Sequence, residues 1–80
     1  MNTGEPIKSA DAEARDVILS MARSASVVGS VACISVLNIA SKSGANEQTV
    51  RHVLVALLRK KVIKIQGDYE GDGYFEVELL

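Results

Sequence analysis

The 80-residue sequence contains one cysteine, one histidine, one proline and no tryptophan. A single cysteine excludes a disulfide within the chain, and one cysteine with one histidine cannot complete a structural zinc site. A chain of this length buries only about 60 to 65% of its unfolded surface, which leaves room for one core but little for a deep catalytic cavity. We therefore expect one small domain without a metal or cofactor. No set of nucleophile, base and orienting group stands out, so we do not expect an enzyme.

Long apolar runs are also missing. The most apolar stretch, residues 27–40, is interrupted by glycine, serine and asparagine, and it is shorter than the roughly 20 apolar residues that cross a bilayer. The first ten residues lack the apolar segment of a secretory signal. These features predict no membrane association and a cytoplasmic location.

Before residue 62 the apolar residues mostly follow the spacing of helices. Residues 1–10 have the composition of a flexible arm, and the domain is expected over residues 11–80. Its predicted helices span residues 11–25, 36–42 and 47–61, and β-branched residues favour a short strand over residues 31–34. Ser35 and Asn46 are suited to cap the second and third helices, because their side-chain oxygens can accept a backbone N–H.

After residue 61 the apolar period changes to two, which is typical of a half-buried strand. Residues 62–66 and 74–80 alternate in this way, and the glycine-rich segment Gly67–Gly73 between them predicts a hairpin. We call this segment the acidic loop, because it carries the carboxylates of Asp68, Glu70 and Asp72. The order of elements predicts an α+β fold with three helices and a small antiparallel sheet.

The second and third predicted helices are joined by a segment that favours a close crossing. Ala40 is small enough to let the next helix pass, and Gly44 can take the positive φ that a tight turn needs. Val50 and Val53 follow Gly44 by six and nine residues and face the same core as Ile39. This stretch resembles the helix-turn-helix of bacterial DNA-binding regulators. With the hairpin that follows, nearly the whole chain resembles a winged helix-turn-helix domain, with the acidic loop as its wing.

The resemblance implies that helix 47–61 enters the major groove of double-stranded DNA. Gln48 then has the geometry to pair with adenine and Arg51 with guanine, and Val55 can touch a thymine methyl. Ser43, which stands where the family commonly has an apolar residue, and Thr49 are expected at phosphates. The residues expected to contact DNA are Ser43, Asn46, Gln48, Thr49, Arg51, His52, Val55, Arg59 and Lys60.

The function that the resemblance implies is that of a small transcriptional regulator. One module covers little DNA, so a homodimer on two half-sites is expected. The alternative is a winged-helix adaptor or inhibitor, which would bind a protein partner through the acidic loop or the basic helix.

The formal charge of -1 conceals two oppositely charged segments. Residues 41–64 hold six cationic residues and one acidic residue, whereas residues 65–80 hold five acidic residues and no cationic one. The basic segment contains the predicted DNA-binding helix. Phosphate would repel the acidic loop, so we expect the loop to stay off the DNA or to face a protein, such as the basic surface of a second copy.

Three further features have simpler interpretations. Cys33 is expected to be a small buried strand residue. Val27, Val28 and Val31 are expected in the core or in a dimer interface. The acidic loop partly matches a calcium-binding loop, but Leu79 stands where such a loop needs a bidentate glutamate, so a solvated hairpin tip is favoured.

Overall fold

The computed structural model describes residues 9–80, which form three helices and one three-stranded antiparallel sheet. The predicted α+β class is therefore confirmed. The elements in chain order are α1 (Ala10–Val27), β1 (Ala32–Ile34), α2 (Val36–Ser43), α3 (Glu47–Arg59), β2 (Ile63–Gln66) and β3 (Phe75–Leu79). Residues 1–8 of the predicted arm lie outside the described residues. No helix within residues 9–80 has both the length and the apolar character needed to cross a membrane.

Each helix begins at a side-chain cap. The cap oxygen accepts the backbone N–H three residues later, at 3.1 Å for Ser9, 3.1 Å for Ser35 and 2.7 Å for Asn46. Each cap satisfies one of the backbone donors that have no partner within the helix. The caps predicted at Ser35 and Asn46 are confirmed.

The end of α3 differs from the prediction. The helix stops at Arg59 instead of Lys61, because Lys61 takes the left-handed conformation with φ 58°. The N–H of Lys61 donates to the carbonyl of Leu58, and the N–H of Val62 donates to the carbonyl of Leu57, both at 3.0 Å. This pair of hydrogen bonds ends many helices, usually with glycine in the left-handed position. A lysine there gives no signal in the sequence, and the helix was therefore predicted too long.

The core lies where α1 meets the other helices and one side of the sheet. α1 packs against α2, α3, β1 and β3, and β3 lies between the two other strands. The buried residues of these surfaces are Ala14, Ile18 and Ala22 of α1, Val36 and Ile39 of α2, Val50, Val53, Leu54 and Leu57 of α3, and Ala32, Ile34, Ile63, Phe75 and Val77 of the sheet. One side of α3 is thus held in the core, and its opposite side is left to solvent.

The expected burial of Cys33 is wrong, and of the two alternatives expected for Val27 and Val28, core or dimer interface, the core is excluded. Cys33 is exposed, because β1 directs Ala32 and Ile34 into the core and the alternation of a strand turns Cys33 outward. Val27 and Val28 are 82% and 77% exposed, because α1 continues to Val27 and its buried residues end more than one turn earlier. Val27 and Val28 are therefore not core residues.

Candidate nucleic-acid interface

Hydrogen bonds hold the corner between α2 and α3. Gly44 has φ 78°, and its N–H donates to the carbonyl of Ala40 at 2.9 Å. The Oγ of Ser43 accepts the N–H of Ala45 at 3.1 Å, and Asn46 then caps α3. A positive φ favours glycine, so the conformation predicted for Gly44 is confirmed. The corner determines where α3 begins and how it leaves α2.

Opposite its buried residues, α3 presents a row of side chains that we call the α3 face. It consists of Gln48, Arg51, His52, Val55 and Arg59, which are three or four residues apart and so share one side of the helix. Gln48, His52 and Arg59 are exposed, whereas Arg51 and Val55 are partly buried. A 13-residue helix is about 20 Å long, and the major groove of B-DNA is wide enough to admit it.

Three other predicted site residues lie at the start of α3 and in the corner before it. The side-chain oxygen of Asn46 is occupied by the cap, and that of Ser43 accepts a hydrogen bond within the corner. Thr49 is partly buried in the first turn. The structure thus brings these residues next to the α3 face. Ser43 and Asn46 also make contacts that stabilise the fold, whereas the sequence interpretation assigned both residues to DNA binding.

Replacing Asn46 separates its role as a helix cap from its expected role in phosphate binding. We expect Asn46→Ala to reduce the free energy of unfolding by about 1 kcal/mol, because the 2.7 Å cap bond to the N–H of Thr49 is lost. Asn46→Asp keeps a capping oxygen and should leave stability nearly unchanged, but its negative charge should weaken any phosphate contact. Urea denaturation and DNA titration of both variants check this. Equal stabilities of the two variants would contradict the capping role.

The guanidinium of Arg51 lies between two carboxylates. Its Nη1 is 3.6 Å from Oε1 of Glu47, and its Nη2 is 3.7 Å from Oδ1 of Asp72 in the acidic loop. The Arg51 side chain is 30% exposed, and its Nε is buried without an acceptor. A buried donor left unpaired costs about 1–3 kcal/mol, so this arrangement is less favourable than one in which Nε finds a partner.

A shallow cleft of about 360 Å³ separates the N-terminal part of α1 from α3. Its lining includes the cationic side chains of Arg15 and Lys60, the imidazole of His52 and the carboxylate of Asp11. Lys60 therefore faces α1 and does not belong to the α3 face. His52 borders both surfaces.

The basic residues of segment 41–64 do not form a single surface. Arg51 and Arg59 belong to the α3 face, and Lys42 is exposed in the last turn of α2. Lys64 lies on the outer side of the sheet, where it is paired in register with Glu78. The positive charge on the α3 face is therefore smaller than the sum over the segment suggests.

The acidic loop has an internal structure. Oδ1 of Asp68 accepts the N–H of Glu70 at 3.0 Å, and the ring of Tyr69 lies edge-on to that of Phe75, with centroids 6.3 Å apart. Tyr74, at the end of the loop, is 70% exposed. Within residues 9–80 no group of three or more His, Cys, Asp or Glu side chains is placed to hold a metal ion.

Sequence reasoning missed two residues that the structure places beside the predicted site. Asp72 lies next to Arg51, and Arg15 shares the cleft with His52 and Lys60. The basic segment 41–64 and the acidic segment 65–80, which follow each other in the sequence, were a signal that basic and acidic side chains make contact. They did not indicate that the meeting occurs within one chain, since that depends on how the hairpin folds onto α3.

Comparison with models of protein families, with curated proteins and with solved structures gives no match. What this chain does must therefore be inferred from the geometry and charge of its own residues. The α3 face combines side chains suited to hydrogen bonding with cations on a helix held firmly by its other side.

Proposed function

We propose that this chain is a winged helix-turn-helix protein that binds double-stranded DNA sequence-specifically, as a small transcriptional regulator. The observation that carries the proposal is the α3 face, a row of polar and cationic side chains on a helix whose other side is buried. The element order and a sheet with β3 in the middle are compatible with a winged helix. The tight corner at Gly44 is compatible with a helix-turn-helix.

Base reading is assigned to the first half of α3. In helix-turn-helix proteins the N-terminal residues of the recognition helix contact base edges. Gln48 suits adenine and Arg51 suits guanine, because each side chain offers two hydrogen-bonding groups in the matching geometry. Val55 follows one turn later, where it suits a thymine methyl, and Arg59 lies near the flanking phosphates.

Phosphate binding is assigned to the start of α3 and the corner before it. The cap occupies the N–H of Thr49, which leaves the amides of Glu47 and Gln48 for phosphate or water. The hydroxyl of Ser43 accepts a hydrogen bond within the corner but keeps its own proton to donate. Lys60 extends the cationic surface toward the cleft beside α1, and the imidazole of His52 lies at the border of that cleft.

A symmetric dimer is part of the proposal. A single small module buries too little surface for tight specific binding, and two copies on two half-sites double the contact. Exposed Val27 and Val28 at the end of α1 provide apolar surface for such a contact.

A second function is favoured by the acidic loop. Asp68, Glu70 and Asp72 are exposed, and the largely exposed ring of Tyr74 follows them. Such a surface suits a basic segment of a protein partner. In that case the chain would be an adaptor or inhibitor.

Titration of a fluorescent random-sequence duplex at different salt concentrations tests the first proposal. With three or four phosphate contacts, we expect the association constant to fall by about 40- to 150-fold between about 50 and 200 mM salt. Binding that shows this dependence supports DNA as the partner. The absence of binding at about 50 mM salt, where phosphate contacts are strongest, would exclude DNA and favour the protein-binding alternative.

A further inference from the structure

Arg51 is the residue of the α3 face that is already engaged within the chain. Its two terminal nitrogens lie 3.6 Å from Glu47 and 3.7 Å from Asp72. Glu47 belongs to the same helix, one turn earlier, whereas Asp72 comes from the acidic loop. The acidic loop thus places a carboxylate where an acceptor of the nucleic acid would meet the guanidinium.

The base of the acidic loop is held firmly enough for this placement to be specific. Gly67 has φ 109°, a conformation that favours glycine, and a Cβ at this position would meet Cβ of Phe75 at a tight 3.1 Å. Tyr69 packs against the core and meets the ring of Phe75 edge-on. Oδ1 of Asp68 accepts the backbone N–H of Glu70, two residues later in the loop. These contacts hold the base of the loop, and in this loop Asp72 lies 3.7 Å from Arg51 of α3.

We propose that Asp72 is a positioning residue for Arg51 that makes DNA binding by the α3 face depend on sequence. The inference rests on the proposed function. Phosphate approaching Arg51 must displace Asp72 and stay beside its negative charge, so contact with any DNA backbone is disfavoured. A guanine edge offers two neutral acceptors and can use Arg51 without that repulsion. Specificity arises because the wrong partner is penalised.

The strength of these ion pairs fits this role. The Asp72 side chain is 82% exposed, and exposed pairs of this kind shift an equilibrium by only about 1.5- to 5-fold. Arg51 is therefore biased toward Asp72 but can be released by DNA.

Asp72→Asn tests the inference, with Glu70→Gln as the matched control. Both variants remove one negative charge from the acidic loop, but of these two residues only Asp72 is paired with Arg51 in the described structure. We expect Asp72→Asn to bind a random-sequence duplex about 3- to 5-fold more tightly, and Glu70→Gln by less than about 2-fold. The salt dependence should steepen by about 0.9 in log–log slope for Asp72→Asn alone, because Arg51 then neutralises one more phosphate and one more counterion leaves the DNA. Asp72→Glu should restore wild-type behaviour.

A measurement without DNA accompanies the titrations. The NMR signal of the Arg51 Nε–H should move in Asp72→Asn and stay in place in Glu70→Gln. If wild type binds the duplex but the two variants behave alike in affinity and slope, the role of Asp72 is refuted and the DNA-binding proposal stands. If neither wild type nor Asp72→Asn binds at about 50 mM salt, the proposed function fails and the inference fails with it.

Discussion

The Leu54→Ala variant is expected to lose about 3 kcal/mol of unfolding free energy. Leu54 is completely buried on the core side of α3, and its truncation leaves a cavity that the small core cannot close. Domains of this size have total stabilities of about 4–12 kcal/mol, so the loss is a large fraction of the whole. Urea denaturation followed by far-UV circular dichroism measures it.

Leu37→Ala is the control for this prediction. Leu37 lies in α2 and is 48% exposed, so the same truncation should change stability by less than about 1 kcal/mol. A loss at Leu37 as large as that at Leu54 would show that the assigned core is wrong. It would also remove the argument that α3 is held by one side and free on the other.

The Arg51→Ala variant is expected to have the largest effect on DNA recognition. Duplexes first selected by the wild-type protein from a random pool should bind this variant about 10- to 100-fold more weakly, as for loss of a bidentate contact to guanine. A repeated selection with the variant should show a relaxed preference at the guanine position. Anisotropy titrations and sequencing of the selected pools measure the two effects.

Arg23→Ala is the control with the same change in charge. Arg23 is exposed on α1, outside the basic segment that contains α3, and its loss should reduce affinity by about 2-fold or less. Equal losses for Arg23→Ala and Arg51→Ala would mean that total charge governs binding. The assignment of the α3 face as the reading surface would then be refuted.

Much of the fold could be predicted because its determinants are local. The spacing of Ile18 with its neighbours indicated α1, and the alternation at Phe75 and Val77 indicated β3. Ser35 and Asn46 cap helices through atoms only three residues away. For the same reason the buried stripe of α3, and hence its exposed side, was predictable.

The errors depend on conformation or on distant contacts. The end of α3 depends on a left-handed lysine, which composition does not favour. Cys33 is exposed because it lies on the side of β1 that is turned away from the core. All three residues of β1 are small or apolar, so the sequence does not indicate which side of this strand is buried. The contact of Asp72 with Arg51 depends on how a loop far along the chain folds back over α3.

The outward orientation of Cys33 has a practical consequence for measurement. It is the only thiol of the chain, and it lies on the outer side of the sheet, opposite Glu76 in the strand register. A maleimide dye attached there would occupy one defined position on the sheet. The helix α3 packs against β2 and belongs to the helical layer, not to the outer side of the sheet that carries the dye. The labelled protein can therefore report binding to unlabelled duplexes through its own tumbling, with every side chain of the α3 face left unmodified.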